Sequence, residues 1–415
     1  MRNLKSHLIY TLAAAFLCYE MALQVSPSVM TGYLMRDLHI DAAGLGLMAG
    51  FYFYSYTAMQ IPAGLLFDRF SARFLITVAT VVCAFGALFF GITHAVEWSS
   101  LGRFMMGVGS AFAFIGVLVV AANWYEAKYF ALLVGIAQLL AALGAMSGAA
   151  PLAAAVDAFG WRQVIVILAM IGLLLSLFIA LTIQDHPKNE EHKEAALHNL
   201  GVKKSLGIVM GNLQTWWVAL YAFSNWAPIT AFAMLWGVPY LVGLYKISST
   251  LAATAVAMIW IGLAVASPIL GWLSDKIGRR VILLSIMAGL GVIFSGIALW
   301  VSVPLWVMFI LLFGFGIATG GQILSFAVIK DFNPIEVTGA AIGFNNMAVV
   351  AGGAIFQPFV GWLLQYFWDG KIENGTPLYS ALNYKYALLV VPICFLVGLV
   401  VSMFFIKETY CKQSQ

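Results

Sequence analysis

Apolar runs close to or longer than the roughly 20 residues that cross a bilayer as a helix recur along the whole chain. Their approximate extents are 8–33, 43–66, 74–94, 100–122, 130–154, 163–183, 215–243, 251–273, 280–300, 304–328, 338–366 and 385–406. One soluble core cannot hide so much apolar surface in 415 residues, of which 63% are hydrophobic and 9% charged, against roughly a quarter charged in an ordinary soluble domain. Barrel strands would alternate apolar and polar positions in segments of about ten. These runs are continuous and contain the Gly and Pro that membrane helices tolerate. The expectation is an all-α membrane protein of twelve transmembrane helices.

The first run begins close to Met1, but it has no small-residue cleavage site and Glu20 interrupts it, so it reads as the first helix and not as a signal peptide. Fifteen of the 21 Lys and Arg fall on the side that carries both chain ends. Positive residues stay in the cytoplasm, which predicts cytoplasmic termini and explains the net charge of +4 without nucleic acid. Cys18, Cys83, Cys394 and Cys411 lack metal-ligand spacing. There is no phosphate-binding loop, no His-Glu-x-x-His and no His in mid-helix. Neither enzymatic chemistry, a cofactor nor ATP-driven transport is expected.

The one long polar stretch lies mid-chain and divides it into residues 1–183, a cytoplasmic linker 184–213 and residues 214–415. The segment GLLFDRFSAR (64–73) is echoed by GWLSDKIGRR (271–280), 207 residues on from Asp68 to Asp275. The same offset pairs Gly107 and Gly109 with Gly314 and Gly316, Pro151 with Pro358, Trp161 with Trp368 and Gln138 with Asn345. One offset relating separated features argues for a duplicated chain of two pseudosymmetric six-helix halves that enclose a site at the membrane midplane.

The G-x-L-x-D-R-x-x-x-R loop, the RFMMGVG run (103–109) and FGWR (159–162) together resemble the major facilitator superfamily. The resemblance implies the twelve-helix fold of that family and alternating access. It also implies that the paired loops latch the cytoplasmic side, which makes Asp68, Arg69, Arg73, Asp275, Lys276, Arg279 and Arg280 gating residues. VSPSVM (25–30), FYFYSY (51–56) with QIP (60–62), and LWGVPYL (235–241) are further similar to the bacterial phagosomal nutrient transporters. That narrower family takes in amino acids and nucleosides, and implies a multi-pass protein of the bacterial inner membrane.

Polar groups at membrane depth are costly unless they serve a partner or a pathway. Of the 17 acidic residues only Glu20 falls in mid-helix, and it is the candidate for proton coupling. Tyr19, Gln24, Tyr52, Tyr56, Gln138, Asn225, Trp236, Gln322, Asn345 and Asn346 are the other candidate solute contacts. Arg103, Arg162 and Lys385 read as lying toward the outer ends of their helices, leaving the interior without a cation. A lone carboxylate among amides, phenols and indoles suits a neutral or zwitterionic solute, with an amino acid first and a nucleoside second. Proton-driven export or import of a siderophore or drug-like molecule is the alternative. It is weakened because GAMSGAAPLA (144–153) departs from the Gly-Pro motif of antiporters. The expected partners are the solute, protons and the bilayer, and the chain is expected to act as a monomer.

Overall fold

The computed structural model describes residues 2–126, 129–184, 202–373 and 376–411. Most of the expected linker, 185–201, lies outside the described residues, as do Lys128 and the side chain of Asp68. The described chain is nearly all helix, apart from a two-stranded ribbon, β1 (Ile372–Glu373) with β2 (Thr376–Pro377).

Among the described residues, eleven segments are long and apolar enough to cross a membrane. The helix that completes the expected set, Ala42–Arg69, is 28 residues long. It is not among the eleven, for it carries Tyr52, Tyr54, Ser55, Tyr56 and Gln60 in its middle. In chain order the helices up to residue 184 are α1 (Arg2–Val25), α2 (Thr31–Asp37), α3 (Ala42–Arg69), α4 (Ala72–Ile92), α5 (Val96–Ser110), α6 (Ala113–Trp124), α7 (Phe130–Ser147), α8 (Ala150–Phe159) and α9 (Trp161–Thr182). After the undescribed segment come α10 (Val202–Gly211), α11 (Leu213–Pro228), α12 (Gly237–Tyr245), α13 (Ser249–Ile277), α14 (Val281–Trp300), α15 (Leu305–Thr319), α16 (Gly321–Asp331), α17 (Thr338–Tyr366), α18 (Ala381–Ala387) and α19 (Val390–Phe404).

Local chemistry sets these boundaries. Asp41, Ser71 and Ser248 cap the starts of α3, α4 and α13 by accepting from Gly44, Phe74 and Leu251 amides. Gly160 and Gly278, at φ +82° and +68°, end α8 and α13 where a side chain would strain the backbone. Spans also bend inside the protein. Ser26–Val29 follows α1 as a 3-10 turn that contains Pro27, and Ile229–Trp236 follows Pro228 as a fully buried π-helix. Such breaks are tolerated at membrane depth because neighbouring helices bury them.

Two layers of contact build the core. Before residue 185, α4 packs on α9 and α5, α3 on α5, and α1 on α7 and α6. After residue 202, α13 packs on α15, α14 on α19 and α15, and α11 on α17 and α19. The two sets meet through α3 against α17, α13 against α7 and α8, and the 3-10 turn against the π-helix. Lys5 hydrogen-bonds Gln184, and Gln214 reaches Phe405 and Lys407, so starts and ends of spans gather on one face, termed here the terminal face.

The two faces differ. On the face opposite the chain ends, a Cβ on Gly46 would lie 2.4 Å from the Gln357 carbonyl, and one on Gly361 2.2 Å from that of Ala42. Near the terminal ends of the same two helices, nothing lies within 4 Å of the corresponding point on Gly64, Gly339 or Gly343. Gly135 of α7 and Gly271 of α13 are equally open. The molecule is sealed on one face and parted on the other.

Close contacts also correct one element of the repeat. Gly107 approaches the Tyr52 carbonyl and Gly316 that of Ile259, each with a notional Cβ at 2.0 Å. Tyr52 and Ile259 are 207 apart, as expected, but Gly107 and Gly316 are 209 apart. The structural mate of Gly107 is therefore Gly316 and not Gly314, two residues having entered between the two helices of the second copy.

Candidate solute and coupling site

Glu20 sits on α1 and is 1% exposed. The Tyr52 hydroxyl of α3 donates to its Oε2 at 2.7 Å. The same phenol ring lies under the Arg103 guanidinium of α5, 4.7 Å from its centroid. Arg103 is wholly buried. Its Nη1 donates to the Leu23 carbonyl at 2.9 Å, one turn along α1 from Glu20, while its Nε and Nη2 have no hydrogen-bond partner. A carboxylate and a guanidinium thus lie on two sides of one tyrosine, without an ion pair between them.

Arg103 overturns the expectation of an interior without a cation. The fourth apolar run, 100–122, places Arg103 at its margin. The helix begins at Val96, because Glu97, Trp98, Ser99 and Ser100 are helical too. Arg103 therefore lies two turns inside. Only the local polarity of 97–100 hid this, and the glycine-rich run that follows was the available signal.

From Tyr52 a polar line continues along α3. Tyr56 stacks on Tyr52 at 5.8 Å and 26°, and Gln60, one turn further, accepts from Asn346 Nδ2 of α17 at 2.6 Å. This bond spans the junction of the two sets of helices. Asn345, beside it, is buried and donates to Ser325 Oγ at 2.8 Å. Asn225 donates to Tyr221 at 3.4 Å. Asn225 Oδ1, Asn345 Oδ1 and Gln322 Nε2 are buried and unpartnered, which leaves two acceptors and one donor unsatisfied among α11, α16 and α17.

Other expected contacts separate from this set. Tyr19 points to α9, where its hydroxyl lies 2.3 Å from the place a Cβ on Gly172 would take. It packs behind α1 and away from Glu20, because successive residues of a helix are about 100° apart. Trp236 closes the sealed face, donating to the Gln357 carbonyl at 3.2 Å. Gln24 is buried one turn beyond Glu20. Gln138 is half-buried on α7, so it does not match the fully buried Asn345 paired with it by offset.

On the terminal face Arg280 Nε binds Asp331 Oδ2 at 2.9 Å, and its Nη1 lies 3.6 Å from Asp275. Glu408 accepts from the Arg280 and Val281 amides, and Thr409 donates to Asp331. Lys276 lies over Trp272 and Arg279 over Tyr410. Asp331, Glu408 and Thr409 were not anticipated. They lie beyond the loop motif in sequence and reach it only through the fold. Arg69 and Arg73 are exposed.

The model of the Major Facilitator Superfamily matches residues 12–356 and 218–413. The chain belongs to the major facilitator superfamily. As in that superfamily, it is a secondary transporter and not an enzyme. The uncharacterised transporter YybO of Bacillus subtilis is 28% identical over 43% of this chain, which spans only 40% of that relative's length. The probable galactarate/D-glucarate transporter GudP of Bacillus subtilis is 24% identical, with 88% of each chain covered. A bacterial homologue of the human lysosomal transporter Spinster, crystallised inward-facing and unoccupied, shares the fold at a TM-score of 0.79 and 16% identity, with 99% of each chain covered.

Proposed function

We propose that this major facilitator protein is a proton-coupled importer of a small zwitterionic organic nutrient, an amino acid being the first candidate. The carrying observation is the Glu20–Tyr52–Arg103 arrangement. In it a carboxylate can exchange a proton and meet an ammonium group, while a guanidinium with two idle nitrogens can take a carboxylate. Amides of the second half, Asn225, Gln322, Asn345 and Asn346, complete the pocket from across the cavity, with Gln24, Tyr56 and Gln138 on the first-half side.

In this reading the chain has twelve crossings, α3 among them, in halves 1–183 and 214–415 joined by 184–213. The terminal face is cytoplasmic, the membrane is a bacterial inner membrane, and the protein acts as a monomer. The conformation described above is then open to the cytoplasm. Solute and proton enter from the sealed side in the alternate state, the halves rock, and the loops around Asp68 and Asp275 part. Within the second half, the basic loop residues pair with Asp331 and the chain end, which fits a released latch.

A hydroxylated carboxylate is the second reading. Arg103 favours it, and GudP, named for sugar diacids, is a relative over most of the chain. Uptake into proteoliposomes under an imposed pH gradient, with amino acids, nucleosides and sugar acids tested in parallel, separates the readings. Saturable, gradient-dependent amino-acid uptake is expected. Uptake confined to sugar acids selects the second reading, and flux that runs only outward against the proton gradient removes both.

A further inference from the structure

The terminal ends of α1, α6 and α7 line an open-sided cavity of about 600 Å³, within the roughly 300–1,000 Å³ of small-molecule sites. One wall is aromatic. The His7 and Tyr125 rings lie 5.7 Å apart and Tyr10 meets Tyr125 edge-on at 6.0 Å. His7 Nδ1 and the Tyr125 hydroxyl are hydrogen-bonded at 2.9 Å, and Tyr10 donates to the Leu133 carbonyl at 2.5 Å, so all three rings are held by hydrogen bonds. Trp124, Glu126 and Tyr129 also line the cavity, with Ser6 and Thr11 of α1. The facing wall is aliphatic, made by Leu132, Ile136 and Leu140 of α7.

This cavity is separate from the Glu20 region. Tyr10 precedes Glu20 by ten residues, about 15 Å along α1. It follows that the two cannot share one small solute. Tyr10 and Tyr19 are nine residues apart, two and a half helical turns, so the cavity lies on the side of α1 opposite the one that packs on Gly172 of α9.

We propose that this cavity is a second ligand site, and that it takes an amphipathic aromatic cation. The faces of tyrosine and tryptophan rings attract a cation through their quadrupoles. The leucine and isoleucine wall accepts a flat apolar body.

Berberine, a flat quaternary ammonium dye whose fluorescence rises when it leaves water, tests the assignment on the full-length protein in lipid nanodiscs. Saturable binding is expected. Tyr125→Leu, which opens the aromatic wall, and Leu132→Trp, which fills the cavity from an exposed position, are each expected to weaken binding by about tenfold. Glu20→Gln is expected to leave it within about twofold. Dihydroberberine, the uncharged analogue, is expected to bind at least about fivefold more weakly than the cation. Monodisperse elution confirms that a variant is folded, and the two cavity variants act by opposite means. Absent saturable binding, or unchanged affinity in both variants, overturns the site. Equal loss in Glu20→Gln moves the dye to the central cavity, and equal binding of the neutral analogue overturns the cation assignment.

Discussion

Tyr52 stands between a buried carboxylate and a buried guanidinium, and its hydroxyl serves Glu20 while its ring serves Arg103. Burying a cation with two nitrogens unsatisfied costs several kcal/mol and is not a route to stability. Arg103→Met is therefore expected to leave the apparent Tm of the purified protein unchanged or raised, while uptake falls by more than about tenfold. A lowered Tm with proportionate uptake would mean that Arg103 is structural. Glu20→Gln keeps one oxygen to accept from the Tyr52 hydroxyl and from a solute ammonium group, but removes the charge and the ability to exchange a proton. Uptake against a concentration gradient is expected to collapse while exchange of labelled for unlabelled solute persists. Concentrative uptake with unaltered pH dependence would remove Glu20 from coupling. Glu20 was legible in the sequence because an acid in a long apolar run has no other context. Arg103 was not, since its place depended on Glu97, Ser99 and Ser100 joining the helix, which hydropathy cannot decide.

At the scale of elements, the contact between α3 and α5 is made backbone to backbone. Ser55 Oγ donates to the Phe104 carbonyl at 2.7 Å, and Gly107 has no room for a Cβ beside Tyr52. The second copy repeats this between α13 and α15, with Gly316 on Ile259 and Gly262 on Phe313. Gly107→Ala and Gly316→Ala are each expected to destabilise by about 1–3 kcal/mol, because the backbones must separate. Gly296→Ala, in open space on α14, is expected to be nearly neutral. Thermal unfolding in detergent compares the three, and equal Tm values would refute the close-packing account. The helices and their duplication were readable from the spacing of apolar runs and loop motifs. The two-residue shift in the second copy was not, since glycines recur at every second position there and only the contact identifies the partner.

For the whole molecule, the question is what the open face does when it closes. On α17 the residues that meet α3 include Asn346, Gly353, Gln357, Pro358 and Gly361. Stepping back from Asn346 by three and seven residues along the same stripe gives Gly343 and Gly339. On α3, Ala42, Gly46, Phe53 and Gln60 extend in the same way to Gly64. Small residues thus line both helices where they now stand apart, with the spacing of the stripe that packs tightly on the sealed face. This fits a second state in which the terminal ends come together. Sequence alone could not reveal which face is open, because two packings of one chain share the same motifs. A Cβ at Gly64 or at Gly343 has nothing within 4 Å in the present conformation, and tryptophan at either position is expected to leave folding and Tm unchanged. It would, however, stand in the way of closure. Such variants are expected to lose transport almost entirely while a cysteine placed at Gly135 stays open to a water-soluble thiol reagent throughout the cycle. Retained transport in both tryptophan variants would mean that α3 and α17 do not approach at this end, and the closing motion would have to be carried by α7 and α13 instead.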